Sequence, residues 1–186
     1  MERNSGENME HINSDFEEQW FTYPRLYRML VENCRPDGTI VELGAWKGRS
    51  SAFLVVEAKN KSHNIKIHIV DTWLGSGEHT AGMTDGLYEK FISNMAPLNG
   101  HYQSHRMTTD EAAPLFGDGS LDAVFIDADH TYDAVKKDIA NWMPKVRKGG
   151  ILAGHDYIHT WPGVIQAVNE SISGFSTMEQ CWFKQC

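Results

Sequence analysis

The chain has 186 residues, 41% hydrophobic and 23% charged, an ordinary balance for one soluble domain large enough to bury a continuous core. Its formal charge of -8 argues against a broad phosphate-backbone footprint, so no nucleic-acid partner is expected. No apolar run approaches the length that spans a bilayer, the first residues are polar throughout, and the three cysteines lack metal-ligand spacing; the expectation is a cytoplasmic protein with reduced thiols and no membrane partner.

Residues 1–13 have no periodicity and read as a disordered tail, which leaves 14–186 as one domain. From Asp15 a short helical pattern places Phe16, Trp20 and Phe21 on one side, with Pro24 as an interruption. A second pattern over Leu26, Met29 and Leu30 ends near Asn33. Helices packed on a sheet are the plain reading of this stretch, and a lid over a cofactor is the sharper one. Thr39–Leu43 predicts the first strand, which runs straight into a glycine turn and a helix start. That is how α/β folds approach a nucleotide-like ligand, because glycine lets the backbone come close and a helix start offers free N–H groups. A dinucleotide fingerprint would need glycines where Trp46 and Arg49 stand, and a P-loop would need Gly-Lys at 49 and 50. Both fail. What stands is Glu42-x-Gly44-x-x-x-Gly48-x-Ser50.

The helix that follows carries Phe53, Leu54 and Val56 and frays at Lys59–Lys61. Residues 65–70 alternate towards a second strand that ends on Asp71. An acid there can accept hydrogen bonds from both ribose hydroxyls of an adenosine; the alternative is an ordinary aspartate capping a turn. The aperiodic, glycine-rich stretch 72–82 reads as a substrate-facing loop, with Trp73 and His79 as contacts. Leu87, Phe91 and Met95 then mark an amphipathic helix, His101–Met107 a third strand, and Thr109 the N-cap of the next helix.

The most informative stretch is 121–156. Leu121–Ile126 is apolar except for Asp122, and Asp127, Asp129 and His130 follow at once. Val135, Ile139, Trp142 and Met143 recur at helical spacing until Pro144. A basic turn through Gly149 and Gly150 then leads to Ile151–Ala153, which ends on His155 and Asp156. Strand, helix, strand with parallel strands puts both strand ends on one edge of the sheet, where open α/β sheets bind ligands. Acids and histidines from two strands thus meet in one crevice. A loop at 157–162, a helix with Val164, Ile165 and Val168, and a terminal hairpin of 175–178 with 182–183 complete about seven strands in a single α/β domain.

The segments VELGAWKGRSS, IVDTW, LDAVFIDADHTYDAV and KGGILAGHDY, with GVIQAV after them, resemble one branch of the class I S-adenosylmethionine-dependent methyltransferases that includes the macrocin-type sugar O-methyltransferases. The likeness runs from about 39 to 172, and IDADHTY combined with GGILAGHDY is far more specific than the glycine motif. It implies a doubly wound, mostly parallel, seven-stranded Rossmann-like sheet with an antiparallel last strand. It implies S-adenosylmethionine as cofactor, held by Glu42, Gly44, Gly48 and Ser50, with Asp71 on the ribose and the loop that contains Thr109 near the adenine. IDAD is also similar to the metal-dependent catechol and caffeoyl-CoA O-methyltransferases, whose first motif aspartate binds a divalent cation. That likeness implies Asp127 and Asp156 as metal ligands, with His155 standing where the relatives carry an acid. The base is a lysine in those enzymes and a histidine in the macrocin-type ones; here the position is His130.

The chemistry suits these residues. Methyl transfer from a sulfonium is an in-line displacement that needs an aligned, nucleophilic acceptor. Magnesium or another divalent cation on Asp127 and Asp156 would lower the pKa of an acceptor hydroxyl, and an imidazole makes a transition metal the better fit. His130, ordinarily near pKa 6.5, would take the proton. The expectation is an O-methyltransferase acting on a small-molecule hydroxyl, of a sugar or another compound, with Asp127 and His130 catalytic. The alternative is a non-catalytic S-adenosylmethionine-binding or regulatory domain, against which the intact Asp127, His130 and Asp156 set argues. A homo-oligomer is compatible with every feature read.

Overall fold

The computed structural model describes residues 20–61, 63–77, 79–80 and 82–186. The expected tail and the start of the first helical pattern, Asp15 and Phe16, lie outside them. Among the described residues the strands are β1 (Thr39–Leu43), β2 (Lys66–Asp71), β3 (Gln103–Arg106), β4 (Leu121–Ile126), β5 (Val146–Gly154), β6 (Ser176–Met178) and β7 (Cys181–Gln185). The helices are α1 (Pro24–Asn33), α2 (Arg49–Asn60), α3 (Leu87–Met95), α4 (Thr109–Ala112), α5 (Tyr132–Trp142) and α6 (Pro162–Ser171). No helix among these residues is long and apolar enough to cross a membrane.

One sheet contains all seven strands in the order β3-β2-β1-β4-β5-β7-β6. Pairing is parallel from β3 to β5, and β7 runs antiparallel to both β5 and β6. The doubly wound, mostly parallel sheet that the resemblance implied is therefore the observed one. Its two faces are covered separately: Ala123 and Phe125 join the core under α1, α2 and α3, while Val124 and Ile126 join the core under α4, α5 and α6. Burial on both faces explains why β4 is a nearly unbroken apolar run rather than an alternating one.

Several boundaries move for physical reasons. Pro24 begins α1 instead of interrupting a helix, because its fixed φ and missing N–H suit the first helical position. Residues 20–23 ahead of it are not helical. Thr108, not Thr109, caps α4: its hydroxyl accepts from the Glu111 amide at 3.2 Å while the Glu111 carboxylate accepts from the Thr108 amide at 2.9 Å, a reciprocal capping box. β3 is shorter than His101–Met107. β5 starts earlier than Ile151, with the register slipping between Leu121 and Ala123, so Arg147 to Gly150 form an irregularity within the strand.

That irregularity serves Asp122, the polar break in the β4 run. Its fully buried carboxylate accepts from the guanidiniums of Arg35 (Nε, 2.8 Å) and Arg147 (Nε, 2.6 Å) and from the Thr39 amide at 3.1 Å. Burial alone would raise its pKa, but the bonds from Arg35 and Arg147 override this and hold it at about 2. A folded pKa below the unfolded value of about 3.8 means stabilisation that is present above pH 4 and lost as pH falls through 2, about 2 kcal/mol in all. Asp122→Asn should cost about 2–3 kcal/mol at pH 7. Urea unfolding of wild type and variant should show that gap closing between pH 4 and pH 2; a gap constant over this range would mean that the carboxylate charge contributes nothing.

Candidate active site

The sheet register aligns the strand ends that matter. Leu43 pairs with Val70 and with Ile126, and Ile126 pairs with Gly154, so Gly44, Asp71, Asp127 and His155 emerge side by side at the carboxyl edge. β1 has β2 on one side and β4 on the other, and the connections diverge there to opposite faces, which opens a crevice. A cavity of about 690 Å³ fills it, within the usual range for small-molecule sites.

On the β1–β2 side, Asp71 organises the turn. Its Oδ2 accepts from the amides of Ala45 (2.8 Å) and Trp46 (3.0 Å), and its Oδ1 accepts from the Trp73 amide at 2.6 Å. Asp71 therefore performs the capping role and still lines the cavity, with one lone pair on Oδ1 to spare for a ligand. Gly44 has φ +86°, and a Cβ there would run into the Asp127 carbonyl, so this glycine is demanded by the neighbouring chain. Gly48 has φ +89° at the start of α2, packs against Phe91 and Met95, and is not among the cavity-lining residues. Glu42 is fully buried beneath the turn, away from the lining. It accepts from Tyr27 Oη at 2.6 Å and from Ser51 Oγ, and burial pushes its pKa up to about 7 against the lowering effect of these hydroxyls and of Ser50. Ser50 and Thr109 do line the cavity, and the Thr109 hydroxyl bonds to the buried Asp138 of α5.

On the β4–β5 side, four side chains converge. His130 Nε2 lies 2.9 Å from Asp156 Oδ2 and 3.4 Å from Asp127 Oδ1; His155 Nδ1 lies 3.3 and 3.6 Å from the same two atoms. Asp156 has φ +56°, a left-handed conformation that aspartate tolerates and that turns its side chain back over the edge. One ligand atom each from Asp127, His130 and Asp156 falls within 4.8 Å of the others, so the tightest metal-competent set includes His130, with His155 beside it. Burial would raise both carboxylate pKa values, but the two histidines hold Asp127 and Asp156 below the usual range. Burial would likewise lower the imidazoles, yet their bonds to Asp127 and Asp156 raise His130 to about 11 and His155 to about 9. Among these neighbours alone His130 keeps its proton at neutral pH, unlike the free imidazole near 6.5 that its residue type suggests.

Sequence reasoning missed several lining residues. Thr22 and Tyr23 reach the cluster from the segment before α1, Trp161 packs 4.5 Å from the His130 ring, and Gln180 enters from the β6–β7 turn. Trp20 and Phe21 line the same cavity. In the 72–82 loop, His79 stacks on Trp46 at 4.6 Å and faces the cavity as expected. Trp73 does not: it is buried against Phe91 and Tyr88 and donates to the Trp46 carbonyl, a core residue that anchors the loop.

A family model described as a methyltransferase domain matches residues 41–157. The chain is 28% identical over 137 residues to the uncharacterized protein y4gI of Sinorhizobium fredii; this is 74% of the chain, which spans about 15% of the length of that curated relative. Among solved structures, the O-methyltransferase NovP is similar with a TM-score of 0.69 at 17% identity, over 87% of this chain and 78% of that one. The geranyl diphosphate C-methyltransferase of Streptomyces coelicolor A3(2) gives 0.51 at 12% identity, over 80% and 58%. These two likenesses establish the fold alone. The family match covers more than half of the chain and includes Gly44, Asp71, Asp127, His130 and Asp156, so the protein belongs to the methyltransferase-domain family.

Proposed function

We propose that this protein transfers a methyl group from S-adenosylmethionine to a hydroxyl of a small molecule, in the manner of the macrocin-type O-methyltransferase branch, with a divalent cation at Asp127 and Asp156. One observation carries the reading: a single cavity contains both the Gly44–Ser50 turn with Asp71 and the cluster of Asp127, His130, His155 and Asp156. On this reading cofactor and acceptor chemistry share one cavity.

The residues fit the cofactor. Asp71 Oδ1 has one lone pair left for a ribose hydroxyl, and Trp46 Nε1 is buried at the cavity wall with no hydrogen-bond partner among the described residues, a donor suited to a ligand acceptor atom. When bound, S-adenosylmethionine supplies a methyl group on a sulfonium, activated for in-line displacement. The protein's part is to align the acceptor oxygen with it and to exclude water.

The donor set also fits a cation. Carboxylate oxygens mixed with imidazole nitrogens favour manganese, iron or zinc over magnesium. A cation there would supply Lewis acidity to the acceptor hydroxyl and take over the charge that the imidazolium protons carry in its absence. His130 belongs to the compact ligand set and His155 Nδ1 faces the same two carboxylates; because an acceptor hydroxyl needs one imidazole left unligated, we assign His155 with the two aspartates to the cation and His130 Nε2 to the acceptor's proton.

Calorimetry should detect binding of S-adenosylmethionine or its demethylated product. Asp71→Ala should weaken it by about 1–3 kcal/mol, because both the ribose contacts and the turn are disturbed. Tight NAD binding with no response to S-adenosylmethionine would remove the cofactor assignment. With methyl-labelled cofactor and a panel of sugar, phenol and polyol acceptors, transfer should fall with a chelator, return with manganese, and be lost in Asp127→Asn and Asp156→Asn. Full activity of the chelated protein would leave proton transfer by the cluster alone as the mechanism; binding without transfer to any acceptor would favour a regulatory domain. Finally, His130→Ala should lower turnover by roughly 10²–10⁴-fold while keeping manganese affinity. Loss of manganese binding in that variant would instead make His130 a ligand.

A further inference from the structure

The segment before α1 touches the cluster at two points that neither the family likeness nor the strand-end motifs account for. Tyr23 is buried, and its hydroxyl donates to Asp127 Oδ2 at 2.8 Å, leaving Oδ1 as the oxygen turned towards His130 and His155. The Tyr23 ring is wedged 4.4 Å from the His155 ring and 4.8 Å from that of Phe125, so the hydroxyl has little freedom to move. Thr22 Oγ1 lies 3.3 Å from His155 Nε2, the ring nitrogen that is not the one facing the two carboxylates. The segment's other end is fixed as well, because Glu179 on the β6–β7 turn accepts from the amides of Arg25 (3.0 Å) and Leu26 (3.2 Å) at the start of α1.

We propose that Tyr23 and Thr22 are positioning residues for the cation site: Tyr23 fixes which oxygen of Asp127 is presented, and Thr22 fixes the orientation of the His155 ring by offering Nε2 a hydrogen-bond partner. The inference rests on the cation reading above. An imidazole that ligates through Nδ1 must carry its hydrogen on Nε2, and such ligands donate that hydrogen to an outer partner that locks the ring orientation. Thr22 Oγ1 occupies that place. Tyr23 does the same for the carboxylate by occupying Oδ2, so that Oδ1 is free for the convergence point shared with Asp156. Two hydroxyls on an otherwise aromatic segment thus hold one oxygen and one nitrogen ligand from outside.

The test uses the metal-free full chain, with free Mn²⁺ measured by electron paramagnetic resonance and the histidine ring nitrogens observed by long-range proton–nitrogen NMR. Tyr23→Phe and Thr22→Val should weaken Mn²⁺ binding by roughly 10–100-fold. Thr22→Ser, which keeps the hydroxyl, should bind like wild type, and Thr22→Val should shift the His155 ring signals even without metal. Wild-type Mn²⁺ affinity in both hydroxyl-deleting variants, with unshifted His155 signals, would overturn the proposal. If the wild type itself binds no Mn²⁺, the cation reading fails and the proposal falls with it; wild-type binding that neither variant weakens ends the proposal alone. Should Tyr23→Phe not fold, the two Thr22 variants decide: weakened Mn²⁺ binding in Thr22→Val with normal binding in Thr22→Ser sustains the proposal, and equal binding in both ends it.

Discussion

Two carboxylates side by side in a mostly buried crevice repel one another, and everything around the β4 and β5 ends is arranged to offset that repulsion. Asp127 and Asp156 cannot be separated, because parallel pairing of β4 with β5 fixes their spacing. They cannot be neutralised by burial either, since both are held ionised by hydrogen bonds from His130 and His155. The opposite end of β4 carries a second buried carboxylate, Asp122, and its partners differ in kind. Asp122 is balanced by two guanidiniums, which stay charged at any physiological pH, so its role is fixed and structural. Asp127 is balanced by imidazoles, which can give up their protons in exchange for another positive charge. One strand thus has a permanent ion cluster at its start and an exchangeable one at its end.

The glycine turn has protein partners of its own. Gly44 answers to the Asp127 carbonyl and Gly48 to Phe91 and Met95, so both glycines are set by packing of protein against protein. Asp71 then pulls the amides of Ala45 and Trp46 towards β2. The turn is shaped before any ligand arrives, so little ordering is left to be done on binding. Glu42 supports it from beneath through Tyr27 and Ser51, without reaching the cavity.

The order of elements and the strand-end acids were legible in the sequence because they depend on short-range patterns, whereas the doubly wound sheet was implied by the family resemblance. Leu121–Ile126 reads as a buried strand, and Pro144 stops the helical pattern before it. Parallel connection then forced Asp127 and Asp156 onto one edge. Strand limits were less legible, because the start of β5 is drawn out by the two arginines on Asp122, contacts between residues 25 and 87 positions apart. Thr108 displaced Thr109 as the cap for a local reason that the sequence did contain: Glu111 stands three residues after Thr108.

What the sequence determined by itself was therefore the inventory: which residues are acids, imidazoles and glycines, and which end of which strand each one leaves. What only the tertiary structure decided was their state and their company. The high proton affinity of His130 arises from two carboxylates held within 3.4 Å, one of them 26 residues away in the chain, and no local pattern encodes such a field. Tyr23 reaches Asp127 across 104 positions, and Thr22 reaches His155 across 133. Trp73 left the 72–82 loop for the core because Phe91 and Tyr88, on a later helix, offered its ring a buried place. Sequence patterns record the periodicity that each element imposes on its own residues. Contacts between distant elements depend on how the faces pack, and that is settled only when the chain has closed on itself.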